Sequence, residues 1–423
     1  MDTSTRCLHA GYEAGDGGPR QIPIYQNTTW YFDSSERMAR IFDLEDNSPF
    51  YTRLWNPTSD AVAARIAAIE GGVAGVLTSS GQAATFFSIF NICTAGGHVV
   101  SSSQIYGGTY NLFAVTLPKM GIEVSFVDAD APLEELRQAM RPNTRCVFGE
   151  TLSNPSLNVL DIEKFATLAH EAGVPLIVDN TFPTPVNCRP FEWGADIVVH
   201  STTKYLDGHA SQVGGAVVDS GNFDWLAYAD KYPGLTTPDH SYHGVVYAER
   251  FGKAAYITKI VSQLLRDLGS TPAPQNAFLL GMNIESLPVR VRQHITNAQT
   301  IAEWLAACDG IKQVRFPGLA GDSEYELAQK YFDSAGGSGV ISFDLEGSRE
   351  DAVKFMDALR LVKIATHVAD ARTCVLHPAS TTHRQLSDEQ LVSAGVSPTL
   401  VRLSVGLEDV SDLIADLENA LNA

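Results

Sequence analysis

The sequence predicts an α/β fold, with a mainly parallel sheet covered by helices on both faces and a smaller C-terminal α+β domain. Three observations carry this. Short apolar runs alternate with helical stretches between residues 61 and 258, the pattern of a sheet buried on two sides. From residue 259 the pattern changes to long helical runs such as LPVRVRQHITNAQTIAEWLAAC, followed by mixed short strands and helices. The 423 residues, 44% hydrophobic and 19% charged, hold enough apolar material for more than one core.

The first 60 residues form an irregular arm. QIPIYQNTTW and NSPFYTRLWNPTSD are rich in Asn, Pro, Thr and aromatics, a composition suited to wrapping over another surface. SDAVAARIAAIEGG then reads as a helix, with Ser59 or Asp60 as N-cap and Gly71 as stop. VAGVLTSS is strand and turn, GQAATFFSIFNICTA helix, HVVSSS strand, TYNLFAVTLPKMG helix and EVSFVDA strand. TRCVFGET is strand, IEKFATLAHEAG helix, and PLIVDN and ADIVVHS strands. In the last third, FGKAAYITKIVSQLLRDLG, DAVKFMDALR and VSDLIADLENALNA read as helices and SGVISFDL as a strand.

Acidic side chains outnumber basic ones by 49 to 30, for a formal charge of -19. Nucleic acid and anionic membranes call for the opposite sign, so neither is an expected partner. The opening MDTSTRCLHAGYEAGDGG has neither a basic nor an apolar leader region, and no apolar run reaches the roughly 20 residues of a membrane helix. Six scattered cysteines suggest neither a disulfide framework nor a zinc site. The expected location is the cytoplasm. His240 and His243 lack a third ligand and no metal is expected. His377 and His383 read as structural or entrance residues, and Cys93 and Cys374 as buried inert thiols.

In open α/β sheets, ligands gather at the carboxyl ends of the strands. LTSSGQA puts Ser79, Ser80 and Gly81 between a strand and a helix N-terminus, where free N–H groups favour an anion. A plain Ser-capped turn fits the same residues. PLIVDN leaves Asp179 at the end of an apolar strand, where a carboxylate needs donors or a cation, or else caps the next turn. ADIVVHSTTKYLDGH ends with Ser201, Thr202, Thr203 and Lys204. A lysine there is costly unless it is neutralised or covalently used, and hydroxyls able to hold a phosphate flank it. It reads as a Schiff-base lysine or, taken alone, as a surface lysine. Together the three segments supply a phosphate anchor, a carboxylate for a pyridine nitrogen and an imine lysine, the requirements of pyridoxal 5'-phosphate. Tyr106, in SSSQIYGGTYNLF, is placed to cover the ring.

The motifs YTRLWNPT, SSGQAA, YGGTYNLF, ETLSNP, IVDNTF, ADIVVHSTTKYLDGH, HPASTTH and VRLSVGLED resemble those of the Cys/Met-metabolism family of pyridoxal-phosphate enzymes. The resemblance runs from QIPIYQNTT to LVRLSVGLEDVSDLIADL. It implies the type I fold of pyridoxal-phosphate-dependent transferases, with a seven-stranded sheet. By the same resemblance Lys204 is the Schiff-base lysine and proton shuttle, Asp179 pairs with the pyridine nitrogen, and Tyr106 stacks on the ring. Ser80, Gly81, Gln82, Ser201 and Thr203 would cradle the phosphate, and Tyr51 and Arg53 would reach the phosphate of a neighbouring subunit. The active unit would then be a dimer, usually doubled to a homotetramer. Arg402 would clamp the substrate carboxylate, with Asn154 near cofactor and substrate.

Within the family, Gln82, YGGTYNLF and HPASTTHRQL look like the O-acetylhomoserine sulfhydrylase branch. Methionine γ-lyases more often carry Met at the position of Gln82 and Cys at that of Gly108. One departure is His367, beside the substrate carboxylate, where sulfhydrylases have Asn and γ-lyases Ser, and which would donate to the carboxylate or reshape the pocket for another substrate; another is Ala369 in place of Gly. The expected activity is γ-replacement on O-acetyl-L-homoserine by sulfide or a thiol, giving homocysteine or a methionine-type product and acetate. The alternatives are γ-elimination by a methionine or cystathionine γ-lyase, cystathionine γ-synthesis, and a non-catalytic homologue of the same fold.

Overall fold

The central strands of the large sheet are short apolar runs buried on both faces, whereas the edge strand EVSFV is only partly buried. The computed structural model describes residues 1–334, 336–381 and 397–423. Its seven strands are β1 (Ala74–Thr78), β2 (His98–Ser102), β3 (Glu123–Val127), β4 (Thr144–Glu150), β5 (Leu176–Asp179), β6 (Ile197–Ser201) and β7 (Gly215–Asp219), ordered β1-β7-β6-β5-β4-β2-β3. Strands β2 to β6 pair in parallel, whereas β7 runs antiparallel to both β1 and β6.

Strand β7 is not among the elements the sequence pattern delivers. Its five residues, GAVVD, follow a polar loop with no crossover helix between them and β6, and composition does not encode strand direction. The antiparallel insertion leaves β1 parallel to β6, so the carboxyl ends of β1, β4, β5 and β6 share one edge. On one face Leu77, Val178 and Val218 meet the helices Pro57–Glu70 and Ile162–Glu171. On the other, Ile177, Ile197, Val199 and Val217 meet Phe87, Phe113, Tyr247 and Tyr256.

The helix Pro57–Glu70 starts earlier than expected. Asn56, not Ser59 or Asp60, is its N-cap, accepting from the Thr58 N–H at 3.0 Å, with Pro57 in the first turn. Gly71 ends it in the left-handed region, φ 87°. The arm before it carries the helices Thr3–His9 and Ser35–Phe42 and a bridge between Thr29 and Tyr51.

The second sheet has strands β8 (Ile311–Arg315), β9 (Val340–Leu345), β10 (Lys363–Ile364), β11 (Cys374–Leu376) and β12 (Leu400–Ser404), ordered β10-β11-β12-β9-β8. The helix Leu287–Ala306 links the two layers. Its Val291 and Ile295 pack in the core of the large sheet, while Ile301 and Leu305 pack in that of the small one. Ile260, Leu264 and Leu265 also pack against the large sheet. Side chains on both sides of residue 259 thus share the core of the large sheet, and the helix Leu287–Ala306 ties that core to the small one. No helix among the described residues is long and apolar enough to cross a membrane.

Ile197 is fully buried at the start of β6, the strand that leads to Lys204. Ile197→Ala is expected to cost about 2–5 kcal/mol, read as a lower denaturant midpoint.

Candidate active site

The shared edge gathers the predicted residues of the first domain. Ser80 is the N-cap of the helix Gly81–Phe90, its hydroxyl accepting from the Ala83 N–H at 3.1 Å. The amides of Gly81 and Gln82 therefore open outward without intrahelical partners. A Cβ on Gly81 would lie 2.7 Å from the Ser201 Cβ, so only glycine lets these two loops close up. The Thr203 hydroxyl is engaged by Gly214, donating to its carbonyl at 3.2 Å and accepting from its N–H at 3.1 Å.

Asp179 accepts from the Thr181 N–H at 3.0 Å and from the Thr181 hydroxyl. That hydroxyl accepts in turn from the Ser201 N–H at 2.9 Å, a chain that ties the loop after β6 to the end of β5. Burial pushes the Asp179 carboxyl above its usual range, opposed by the Thr181 hydrogen bonds and the charge of His200. Glu150, buried at the end of β4, lies directly across from Asp179 in the sheet register. Burial first, and the Asp179 charge second, raise it well above the usual range. Among the described residues neither carboxylate has an ion-pair partner. Glu150 accepts from the Tyr106 N–H at 2.6 Å, so it anchors the start of the Tyr106 loop.

Tyr106 is 48% exposed in the single chain. A Cβ on Gly108 would sit 2.5 Å from the Tyr106 ring and 2.6 Å from the Gln82 amide nitrogen. The ring, the glycine and Gln82 thus form one close-packed wall, and the Gln82 amide oxygen is buried without a partner.

Lys204 follows β6 in a turn closed by its own N–H to the Ser201 carbonyl at 3.2 Å and by the Gly208 N–H to its carbonyl at 2.7 Å. Its amine has no hydrogen-bond or ion-pair partner among the described residues. Burial, helped by the Arg402 charge, brings it down from 10.5 to about 8.

Arg402 comes from β12 in the second domain. It donates to the Asn154 side-chain oxygen at 2.9 Å and to the His367 carbonyl at 3.3 Å, and its Nε is buried without a partner. Burial lowers it to about 10. The Asn154–Pro155 bond is cis, and the Pro155 carbonyl accepts from the Ser342 hydroxyl of β9 at 2.7 Å. The His367 Nε2 is also enclosed without a partner. Burial, then the charge of Lys204, holds the imidazole below its usual range.

Tyr51 and Arg53 stand apart. The Arg53 guanidinium lies 5.2 Å from the Tyr51 ring centre and donates to the Arg266 carbonyl, with no contact to Lys204, Asp179 or Ser201. His377 is held by Ser380 and the Pro398 carbonyl. His383 lies outside the described residues. No group of three metal-binding side chains occurs among the described residues.

Sequence reasoning passed over Glu150 and Thr181. Cys374 was expected to be an inert thiol of an apolar strand. It is buried, and burial raises it to about 11, yet it lies close enough for the charges of Arg402 and Lys204 to act on it. Its thiol donates to the His367 carbonyl at 3.2 Å. The one signal for Glu150 was a carboxylate closing the apolar run TRCVFGE, the pattern that singled out Asp179.

The family described as Cys/Met metabolism PLP-dependent enzyme matches residues 4–422. The chain belongs to that family. It is 44% identical to the O-acetyl-L-homoserine sulfhydrylase of Leptospira meyeri, over 99% of this chain and 96% of that one. It is 42% identical to the homocysteine synthase of Schizosaccharomyces pombe, over 98% and 96%. A solved structure of a putative O-acetylhomoserine (thiol)-lyase from Campylobacter jejuni matches with a TM-score of 0.96 and 39% identity over 100% of both chains. That structure carries N'-pyridoxyl-lysine-5'-monophosphate at its position 205.

The residues of this family member fit pyridoxal phosphate. The open amides beside Ser201 suit a phosphate, the carboxylates without a cation suit a protonated pyridine nitrogen, and the unpartnered amine suits an aldehyde. When bound, the cofactor supplies an electron sink that stabilises negative charge at the substrate's α-carbon. Only the neutral lysine amine combines with an aldehyde. Capture of pyridoxal phosphate by cofactor-free protein is therefore expected to quicken as pH rises through about 8 and then level off. The growth of cofactor absorbance after mixing, measured from pH 6 upward, checks this.

Proposed function

We propose that this enzyme carries out γ-replacement on O-acetyl-L-homoserine. The ester's Cγ–O bond breaks and acetate leaves. A Cγ–S bond to sulfide or a thiol forms, and the thiol proton is released, giving homocysteine or a thioether such as methionine. The observation that carries the reading is the enclosed Arg402, its Nε unpartnered and its charge felt at Lys204. A buried guanidinium with no carboxylate partner among the described residues needs an anion, and the α-carboxylate of an amino acid answers it bidentately. The names of the full-length relatives point to O-acetylhomoserine as that amino acid.

In this reading Lys204 holds the cofactor and, once its amine is free, moves protons at the substrate's Cα and Cβ. Position 205 of the Campylobacter chain, superimposable along its whole length, supports that choice. Asp179 holds the pyridine nitrogen in its protonated form. Tyr106 covers the ring, and Ser80, Gly81, Gln82, Ser201 and Thr203 surround the phosphate. Asn154 and His367 complete the carboxylate pocket around Arg402.

The arrangement also suits a shared site. Tyr106 is half exposed in one chain, and Tyr31 of the arm is fully exposed. We assign Tyr51 and Arg53 to the phosphate of a neighbouring subunit, in a dimer that pairs into a homotetramer. Six unpaired cysteines suit a reducing compartment such as the cytoplasm.

Lys204→Ala should keep the fold and lose the bound-cofactor absorption and turnover. Retained activity would remove the assignment. Arg53→Ala should weaken cofactor retention. Mixed with Lys204→Ala subunits it should regain activity, since hybrid dimers hold one intact site; no regain would argue against sharing. To test the reaction itself, the protein is incubated with O-acetylhomoserine, with and without sulfide, and separately with methionine. Homocysteine formed only with sulfide is the expected result. Oxobutyrate and methanethiol from methionine alone would make the enzyme a γ-lyase.

A further inference from the structure

The helix Leu287–Ala306 carries three buried polar side chains, Arg290, His294 and Asn297. Their spacing of four and three residues puts them on one helix face. Polar groups on a core-facing stripe are costly unless each is bonded, and here the partners are informative. At one end, Arg290 donates to the Tyr205 carbonyl at 2.9 Å, in the residue after Lys204, and to the Asn283 carbonyl at 2.8 Å. Gly208 takes φ +70°, and a Cβ there would come within 2.0 Å of the Arg290 Nη1. The turn of Lys204 is thus folded around the guanidinium. At the other end, the Asn297 amide donates to the Gly406 carbonyl at 3.1 Å and the Glu408 carbonyl at 3.0 Å. Between them, the His294 Nδ1 donates to the Val405 carbonyl at 2.7 Å. Val405 follows β12, which carries Arg402.

A second path joins the same two segments. The Tyr205 hydroxyl accepts from the Gly339 N–H at 2.9 Å, and the Gly339 carbonyl accepts from the Val405 N–H at 2.8 Å. The Gly208 carbonyl accepts from the Ala371 N–H, and the Ala371 carbonyl from the Leu407 N–H, both at 2.8 Å. Domain packing alone would be satisfied by apolar contacts such as those of Ile301 and Leu305 on the same helix. The stripe bonds instead to the backbone of the residue after Lys204 and to the segment Val405–Glu408 that follows the strand of Arg402.

We infer that this stripe is a spacer that sets the separation of Lys204 and Arg402, with Arg290 the positioning residue for the lysine and Asn297 that for the arginine. The inference rests on the proposed roles of those two residues. A planar guanidinium reaching several carbonyls cannot be reproduced by a single ammonium, and small misplacements in a site cost large factors in rate.

The test compares the holoenzyme variants Arg290→Lys, Asn297→Ala and Leu305→Ala. The readouts are O-acetylhomoserine kinetics with sulfide, the pH midpoint of cofactor absorption, and the melting temperature. Arg290→Lys is expected to lower kcat by about tenfold or more and to move the absorption midpoint, with KM nearly unchanged. Asn297→Ala is expected to raise the KM for the amino acid and keep the midpoint. Leu305→Ala should lower the melting temperature at least as much and leave kinetics and midpoint alone. Unchanged kcat and midpoint in Arg290→Lys would overturn the inference, as would the same kinetic losses in Leu305→Ala. Should Arg290→Lys not fold, an unchanged KM in Asn297→Ala overturns it. If wild-type protein ignores O-acetylhomoserine, the substrate reading fails instead and the midpoint comparison still decides the spacer; if Lys204→Ala keeps the bound-cofactor absorption, the lysine assignment fails and the inference falls with it.

Discussion

Two carboxylates enclosed side by side repel each other and lose hydration, so they stay charged only if donors or a cation answer them. Glu150 and Asp179 stand in this relation, on adjacent parallel strands and in register. The nearby structure is arranged around that constraint. Thr181 donates twice to Asp179 and links it to Ser201. Glu150 takes the Tyr106 N–H. The loop after β6, the start of the Tyr106 loop and Asp179 are therefore joined through one pair of strand ends, and in the proposed reading a protonated pyridine nitrogen is the cation that completes it.

Close approach is the second constraint. The loops from β1 and β6 meet where Gly81 faces Ser201, and the Tyr106 wall closes where Gly108 faces Gln82. An added methyl at Gly81 would meet the Cα and Cβ of Ser201, and one at Gly108 the Tyr106 ring and the amide of Gln82. These glycines are set by distance; at Gly208 the backbone, at φ +70°, also demands one.

Charge supplies the third. Lys204 and Arg402 come from different domains, and each lowers the proton affinity of its surroundings in an enclosed space. Their mutual repulsion has to be borne by the rigid parts that carry them. The linking helix, anchored in both cores, is the element able to do so.

The sequence by itself determined the α/β layering, the strand ends that carry Ser80, Asp179 and Lys204, and the cofactor they imply. Apolar runs that stop at a polar residue mark both a buried strand and the edge where ligands sit. It did not disclose β7, because a five-residue strand carries no information about its direction, nor the N-cap at Asn56, where several capping residues compete within one stretch. Glu150, Thr181 and the place of Cys374 beside Arg402 and Lys204 were unreadable for a different reason. Each is ordinary for its position in the chain and becomes part of the site only through register or through contact with a residue far along the sequence. The separation of Lys204 from Arg402 was likewise decided only by the tertiary structure, since it depends on how two cores seat against one helix.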